Sequence, residues 1–484
     1  MHALLTVLVV MLLTLCCAAD VAEAADLDHP HNFDPAKYPD RAAWERRRDF
    51  LRQQALVAQG LWPMPQKTPL EPVVHGKIER DGYTIEKVFF ASLPGHYVTG
   101  NLYRPTGREG KRPVVLMPYG HWPNGRFIWR DDAGVKKDID GGAERDPVAA
   151  RSPLQANCVQ LARMGAIVFH YDMVGYGDNT RIAHREGFND AEATLRLQSQ
   201  MGLQTWNGVR ALDFVLSLPE VDAARVAVAG SSGGGTQAIA LAAVDKDRVA
   251  VSFPMVMISM NMQGGCVCEN APLQRVHTNN VELACLFAPK PQGAAAANDW
   301  THDFLTRGLP EMKAIYRLFD AEGNVEGEHF NFGHNHNLHS RLMQYRFLNK
   351  HLKLGVVEPI DEKPFEPVEP KDLSVYDAQH PRPADEADAA TLRAWMTKTS
   401  DAQLAKLSDE EYRRTVRAAL RAMIVDEERD PGATGHRASK PADWNGRVVI
   451  WWDPAATFDP AERLRGLKVS GANQGVESSS IRGR

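Results

Sequence analysis

The sequence predicts an α/β protein, in which a mostly parallel central sheet is flanked by helices. Short apolar runs alternate with helical stretches between about residues 112 and 351. Strands of a parallel sheet are buried on both faces, so they are apolar throughout. One such run, Val226–Ala229, passes through a glycine-rich turn directly into an alanine-rich helix. Strands that alternate with helices in this way are typical of a parallel α/β sheet.

Length and composition limit the classes of function. The chain has 484 residues, 44% of them hydrophobic and 24% charged, which is ordinary for a globular protein with a sizeable core. The formal net charge is −5 at pH 7, and no basic patch stands out. We therefore expect no nucleic-acid partner.

The N-terminus has the pattern of a signal peptide. Residues 3–19 are almost all apolar, and Ala22-Glu23-Ala24 places small residues at both key cleavage positions. We expect residues 1–25 to be removed and the mature protein to be secreted or periplasmic. The region before the apolar run lacks Lys and Arg, so an uncleaved anchor is the alternative. No later stretch has the ~20 apolar residues of a membrane span, so we expect no other membrane contact.

The predicted elements follow the chain in order. An N-terminal helical segment is expected over residues 26–75, with its helix at about 35–60, and a catalytic domain over residues 76–355. A Pro-Gly turn joins the first two predicted strands into a hairpin. The predicted strands are Tyr83–Phe90, Tyr97–Tyr103, Arg112–Met117, Ala166–Tyr171, Arg225–Ala229, Val249–Val256, Gln292–Ala297 and Val325–Phe332. The predicted helices are Leu197–Leu218, Thr236–Ala243, His302–Leu318 and Ser340–His351.

The character of the sequence changes after residue 355. Residues 356–386 are rich in Pro, Glu and Asp and are predicted to be a linker. Residues 387–484 are expected to hold a charged helical stretch and the start of a second α/β module that stops early. The reason is that Trp444–Trp452 resembles the first module's strand at Arg112–Met117. The last residues, Ser470–Arg484, are predicted to be disordered.

The strongest motif is Gly230-Ser231-Ser232-Gly233-Gly234, which has the spacing of a nucleophile elbow. A nucleophilic serine must stand on a tight turn between a strand and a helix, and flanking glycines let the backbone make that turn. Ser232 would then lie at a helix N-terminus, where the helix dipole favours developing negative charge. The alternative is a glycine-rich phosphate loop, but no lysine follows in the P-loop manner.

A serine nucleophile needs an orienting acid and a histidine, which follow it in that order in folds with this elbow. Asp299 comes straight after the predicted strand Gln292–Ala297 and before a helix, so it is the candidate acid. Asp320 is the alternative, although its surroundings are more typical of a turn.

Four histidines could supply the base: His329, His334, His336 and His339. His329 lies inside the last predicted strand, and His339 begins the helix that follows. His334 directly follows Gly333 in the loop between them, from which a side chain can reach over the sheet. We therefore predict His334 as the base, with His336 second. No acidic residue lies at helical ligand spacing, so a metal cluster of these histidines is not expected.

An oxyanion formed at Ser232 needs two backbone N–H donors. The amide of Gly233, directly after the nucleophile, is the first candidate. The second candidate is the amide of His121, in the loop that follows the run Arg112–Met117.

Four cysteines remain once the N-terminal segment is removed: Cys158, Cys266, Cys268 and Cys285. A secreted protein can form disulfides, and the sequence leaves three complete pairings open. Cys266 and Cys268 have no partners at zinc-ligand spacing in the sequence. We therefore predict buried or bridged cysteines, no metal site and no cofactor.

These residues resemble the α/β-hydrolase superfamily, and in particular its secreted bacterial acetyl-xylan-esterase-like proteins. The resemblance spans roughly residues 80–355. It rests on Tyr119–Arg126, Tyr171–Asp178, Gly230–Gln237, Asn298–Thr301 and Gly333–Asn337. It implies a triad of Ser232, His334 and Asp299, no metal, and a small-molecule or carbohydrate ester as substrate.

Two other functions remain open at this level. A serine peptidase of the prolyl-oligopeptidase type would use the same triad order, but too few residues precede the domain to build the β-propeller of those enzymes. A non-catalytic carbohydrate-binding homologue would keep the fold and lose the chemistry. The intact Ser, Asp and His favour an enzyme.

Overall fold

The computed structural model describes residues 33–260 and 264–424. They form one nine-stranded sheet in the order β1-β2-β3-β5-β4-β6-β7-β8-β9. The first three strands and β5 pair antiparallel, and every pair from β5 through β4 to β9 is parallel. The predicted α/β architecture with a mostly parallel sheet is confirmed. The predicted signal peptide, the strand within Trp444–Trp452 and the C-terminal tail lie outside the described residues.

The structure contains more strands and helices than the sequence predicts. The strands are β1 Val73–Arg80, β2 Tyr83–Leu93, β3 His96–Pro105, β4 Arg112–Leu116, β5 Ile167–Tyr171, β6 Val221–Ser231, β7 Val251–Met255, β8 Gln292–Ala296 and β9 Val325–His329. The helices are α1 Arg41–Ala58, α2 Asp132–Asp140, α3 Pro147–Arg151, α4 Pro153–Met164, α5 Ala191–Leu195, α6 Gln200–Ser217, α7 Gly233–Val244, α8 Asn280–Cys285, α9 Leu309–Arg317, α10 Leu338–Leu352, α11 Pro370–Leu373, α12 Ala389–Ala405 and α13 Asp409–Ile424. A π-helical turn, Phe304–Gly308, precedes α9.

The central strands separate two hydrophobic cores, one on each face of the sheet. Along β4, Val114 and Leu116 point into the core that contains α6. Val115 and the following Met117 point into the core that contains α4 and α10. Because successive side chains of a strand point to opposite faces, a strand covered on both sides has to be apolar at every position. That requirement explains the uninterrupted apolar runs of the sequence.

The helix α4 was not predicted, and it supplies the crossover between two parallel strands. It begins with Pro153 in its first turn, where a missing N–H costs nothing, and ends at Gly165 in the left-handed conformation with φ 106°. These are ordinary helix boundary residues. The nearly complete burial of α4, which places even polar side chains inside, hides the amphipathic period that predicts helices from sequence.

Residues 356–424 pack on the catalytic domain. This differs from the expectation that residues 356–386 are a linker. Leu373 and Val375 are buried, and the Leu373 carbonyl accepts a hydrogen bond from Asn101 Nδ2 at 3.0 Å. Leu392 of α12 joins the core beside α6. The Trp62 indole donates to the Thr415 carbonyl of α13 at 3.2 Å. The proline-rich stretch therefore packs along the surface of the catalytic domain.

The start of the sheet and the helices add three smaller findings. The sheet begins at Val73, three residues before the predicted start of the catalytic domain. Asp40 caps α1 by accepting from the Ala43 amide at 2.8 Å. Among the helices of residues 33–260 and 264–424, none combines the length and the hydrophobicity of a bilayer crossing.

Candidate active site

Ser232 stands on a strained turn between β6 and α7. Its backbone has φ 57° and ψ −127°, a conformation that L-residues rarely adopt. The close packing around it explains the neighbouring glycines. A Cβ on Gly230 would lie 2.5 Å from the carbonyl oxygens of both Pro118 and Gly234. The chain thus has the geometry of a nucleophile elbow.

Asp299 and His334 meet at the same edge of the sheet. Asp299 follows β8, and His334 follows β9, and these strands run parallel to β6. Carboxyl ends of parallel strands lie at one edge, which is also the edge at which Ser232 stands. His334 Nδ1 lies 2.7 Å from Asp299 Oδ2. The structure therefore brings the predicted acid and the predicted base into direct contact.

The environment of Asp299 keeps its carboxyl ionised. Burial opposes ionisation, but the hydrogen bonds from His334 and Thr301 outweigh it, so the pKa of Asp299 lies below its usual value. Thr301 contributes through its amide at 2.7 Å and its hydroxyl at 2.5 Å, both to Oδ1. An ionised Asp299 accepts the Nδ1 proton of His334 and leaves the Nε2 lone pair of that imidazole free.

The other candidate residues are held elsewhere. His336 is buried, and its Nδ1 lies 3.1 Å from Ser231 Oγ. His339 Nε2 lies 2.9 Å from the Gly142 carbonyl oxygen, and His329 ends β9. Asp320 occupies the turn after α9, with φ 54°. Among the four histidines considered, only His334 shares a hydrogen bond with an acid that follows a neighbouring strand.

The loop after β4 packs directly against the nucleophile. A Cβ on Gly120 would lie 2.6 Å from Ser232 Cβ and 2.8 Å from the Gly233 amide nitrogen. Gly233 is the first residue of α7, and the first amides of a helix have no acceptor within it. The amide of His121 makes no hydrogen bond to any described residue. Both predicted oxyanion donors therefore belong to backbone that borders Ser232.

Aromatic and acidic side chains complete the surroundings of His334. Trp122 stacks on its ring with centroids 5.7 Å apart, and Trp300 lies at 4.5 Å. Glu269 is buried and interacts electrostatically with His334. A Cβ on Gly233 would lie 3.3 Å from Glu269 Oε1, so this carboxyl also borders the elbow. Glu269 was not predicted, because the loop that carries it has no motif of its own.

A buried network of polar side chains holds the loop after β4 in place. The Tyr119 hydroxyl donates to Asp172 Oδ1 at 2.6 Å. The fully buried Arg126 guanidinium donates to the same oxygen at 2.9 Å and also bonds Asp178. These residues come from Tyr119–Arg126 and Tyr171–Asp178, two segments that carry the sequence resemblance. Their role in the structure is to tie the loop beside Ser232 to the loop after β5.

The four cysteines in the part of the chain that the structure describes are buried and unbridged, but two of them have partners that sequence spacing could not reveal. His121, His184, Cys266 and Cys268 bring their ligand atoms within 4.8 Å of one another. The prediction of no metal site rested on the lack of such partners at ligand spacing in the sequence, whereas the structure brings two histidines to the two cysteines. His121 is 147 positions from Cys268, and His184 is 82 positions from Cys266, so no short motif connects them.

Three comparisons describe the relatives of this chain. Residues 205–258, which contain most of α6, β6, the elbow, α7 and β7, match the sequence profile of the acetyl xylan esterase (AXE1) family. The solved structure of methylesterase BT1017 is similar with a TM-score of 0.59 and 27% identity, over 77% of this chain and 78% of that one. YtaP of Bacillus subtilis (strain 168), a hydrolase by name, is 26% identical over an alignment of 294 residues that covers 58% of this chain and 89% of that protein.

These comparisons confirm two expectations from the sequence. The chain has the α/β-hydrolase fold and resembles acetyl-xylan-esterase-like proteins. They also support the expected enzyme class, a carboxylic ester hydrolase.

Proposed function

We propose that this chain is a serine-dependent hydrolase of carbohydrate esters that works through an acyl-enzyme. The observation that carries the proposal is the 2.7 Å contact between His334 Nδ1 and Asp299 Oδ2, at the sheet edge where Ser232 occupies a strained elbow. A serine, an acid and a histidine in this order along the chain are the components of a catalytic triad.

The reaction proceeds in two halves. His334 Nε2 takes the hydroxyl proton of Ser232 as its oxygen attacks the ester carbonyl carbon. The tetrahedral intermediate collapses, and the alcohol leaves with the proton that His334 returns. Water then attacks the acyl-enzyme with His334 again acting as base, and the free acid leaves Ser232. Throughout, Asp299 holds the imidazole in one tautomer and stabilises its protonated form.

The oxyanion of each intermediate is held by the amides of Gly233 and His121. The close approach of Gly120 to Ser232 and to the Gly233 nitrogen supports this assignment, because the loop that carries the His121 amide packs against the start of the helix that carries the Gly233 amide. One such donor typically contributes ~3 kcal/mol of transition-state stabilisation.

The relatives of this chain support two classes of ester as the substrate. The first is an acetylated carbohydrate, which the match to the acetyl xylan esterase profile supports. The second is a methyl ester, which the similarity to methylesterase BT1017 over 77% of this chain supports. The two differ in which part is the acyl group. Deacetylation forms an acetyl-enzyme and releases a sugar alcohol, whereas demethylation forms a sugar acyl-enzyme and releases methanol.

Active-site labelling tests the nucleophile without any choice of substrate. A fluorophosphonate probe should label the wild-type protein at Ser232, and Ser232→Ala should remove the label. Ser231→Ala is the matched control and should still be labelled, because its hydroxyl bonds His336 at 3.1 Å. Labelling that persists in Ser232→Ala, or is lost only in Ser231→Ala, would overturn the assignment.

A product assay then separates the two ester classes. The mature protein is incubated with acetylated xylan and with a methyl-esterified uronic acid polymer, and both acetate and methanol are measured. Acetate release alone supports the first class, and methanol release alone supports the second. Cleavage of proline-containing peptides with neither product would contradict both.

A further inference from the structure

Three loops beside the elbow bring two cysteines and two histidines together. His121 follows β4, His184 follows β5, and Cys266 and Cys268 lie in the segment between β7 and α8. His121 Nε2 lies 3.1 Å from His184 Nε2 and 3.2 Å from Cys268 Sγ. His184 Nε2 lies 3.2 Å from Cys266 Sγ. Both cysteines are buried, and both histidines are half-buried.

In each imidazole, the oxygen atom next to Nδ1 determines whether Nε2 carries a proton or a lone pair. His184 Nδ1 lies 2.6 Å from the Val174 carbonyl oxygen, which can only accept, so Nδ1 carries the proton. His121 Nδ1 faces Glu269 Oε1 at 4.0 Å, which favours the same tautomer. A neutral imidazole protonated at Nδ1 presents a lone pair at Nε2. Two such lone pairs 3.1 Å apart repel each other unless a proton or a cation lies between them.

Three contacts within the cluster are close to the distances between the ligand atoms of a tetrahedral zinc site. Zinc lies about 2.0–2.1 Å from imidazole nitrogen and about 2.3 Å from thiolate sulfur, so the edges of its ligand tetrahedron are about 3.3–3.8 Å. The contacts of 3.1 and 3.2 Å fall short of these edges by only a few tenths of an ångström. All four ligand atoms lie within 4.8 Å of one another.

We propose that His121, His184, Cys266 and Cys268 bind one zinc ion. Four protein ligands complete the tetrahedron, which is the arrangement of a structural rather than a catalytic zinc. Two thiolates balance the charge of the ion, and the two imidazoles bind neutral through Nε2. Binding releases the thiol protons to solvent.

The surroundings of the ligands support thiolate and imidazole coordination. Arg185 Nε donates to Cys266 Sγ at 3.2 Å, which stabilises a negative sulfur. A carbonyl or carboxylate oxygen next to the second ring nitrogen, here Nδ1, is the usual arrangement for orienting a zinc-bound imidazole. Apolar side chains, among them Ile128 and Met173, pack around Cys266 and Cys268 and limit access of water.

The site would tie three separate loops to one point beside the nucleophile. The backbone of His121 carries a proposed oxyanion donor, and its ring lies 3.2 Å from the position of a Cβ on Gly233. Zinc would therefore act as a positioning group for the loop after β4. This consequence rests on the proposed function, whereas the presence of the metal does not.

Metal content tests the site independently of activity. The untagged full chain is dialysed against zinc and then against buffer, and its metal content is measured by inductively coupled plasma mass spectrometry. It should retain about one zinc ion per chain. A Cys266→Ser/Cys268→Ser variant and a His184→Ala variant should each lose at least nine tenths of it. Cys285→Ala, which alters a buried cysteine outside the cluster, should retain it. His380→Ala should also retain it, because His380 belongs to a second group with His75 and Asp377.

Cobalt substitution checks the ligand set in the wild-type chain, so it does not depend on the folding of a variant. Cobalt(II) should give the intense visible bands of tetrahedral coordination together with a thiolate-to-metal charge-transfer band. Three results would overturn the proposal: no retained zinc and no such spectrum, zinc undiminished in the cysteine variant, or a Cys266–Cys268 disulfide in the unreduced protein.

The positioning role has a separate measurement. Removing the metal with a chelator should lower kcat for a small ester with little change in KM, because the loop amide acts on the transition state. Unchanged kcat in a chain shown to have lost its zinc would overturn the positioning role and leave both the metal site and the esterase proposal standing.

Discussion

Asp299 accepts three hydrogen bonds. The one from His334 Nδ1, at 2.7 Å, joins the loops that follow two neighbouring parallel strands, β8 and β9. The other two come from Thr301, so the carboxylate is fixed before any substrate arrives. This pairing selects one tautomer of His334 and aims its second nitrogen away from the acid. The first two predictions depend on it.

Asp299→Asn should lower kcat by on the order of 10⁴ with little change in stability. The amide would leave the fold intact but favour the wrong imidazole tautomer. Steady-state kinetics on p-nitrophenyl acetate, with a thermal melt of the same sample, measures both quantities. Asp320→Asn is the matched control, since Asp320 lies in the turn after α9. An equal loss in both variants would contradict the role of Asp299.

His334→Ala and His336→Ala should have opposite effects. The first should reduce kcat by about 10⁴-fold or more while the melting temperature stays near that of the wild type. The second removes a buried ring that contacts Ser231, so it should lower stability by about 2–3 kcal/mol and leave kcat within about tenfold. Denaturant unfolding and kcat are measured for each. A reversed pattern would make His336 the base.

Gly120→Ala should reduce kcat by about 10²–10³-fold, the cost of losing an oxyanion donor. The added methyl would lie 2.6 Å from Ser232 Cβ and 2.8 Å from the Gly233 nitrogen, so the loop has to move away from the elbow. The same substitution at Gly323, where nothing lies within 4 Å, should leave kcat unchanged. Wild-type kinetics in Gly120→Ala would show that the loop takes no part in the reaction.

Glu311→Gln should stabilise the protein above neutral pH. Burial raises the pKa of Glu311 to about 7, so the folded state prefers the neutral acid. That contribution to stability is complete below the unfolded pKa of 4.5 and is lost as the pH rises through about 7. The variant should therefore exceed the wild type by on the order of 1 kcal/mol at pH 8, allowing for solvent screening, and match it at pH 4.

Unfolding by urea at both pH values measures the effect. Glu410→Gln, on the exposed surface of α13, is the control and should shift neither curve. Equal stability of Glu311→Gln and the wild type at pH 8 would contradict the raised pKa.

The sequence by itself determined the features that depend on neighbouring residues. An apolar run followed by Gly230 to Gly234 requires a strand, a tight turn and a helix, whatever the rest of the chain does. Asp299 and His334 were recognisable because each directly follows such a run. The ends of parallel strands meet at one sheet edge, so the order of elements was enough to predict that these two side chains lie near each other.

Only the tertiary structure decided which distant groups share an environment. The sequence favoured His334 over His336 by its position directly after Gly333, but only the tertiary structure determines which ring is directed towards Asp299. Residues 356–386 looked like a linker because proline and acidic residues are typical of one, yet Leu373 and Val375 find a buried surface.

The cluster of His121, His184, Cys266 and Cys268 shows the same limit most clearly. Its members are brought together by the ends of β4, β5 and β7, and their spacing along the chain reflects only the lengths of the helices and loops between those strands. Local patterns arise from forces between chain neighbours and can therefore be predicted from the sequence. Side chains 147 positions apart meet only because the sheet brings the ends of β4 and β7, which β6 separates, to the same edge.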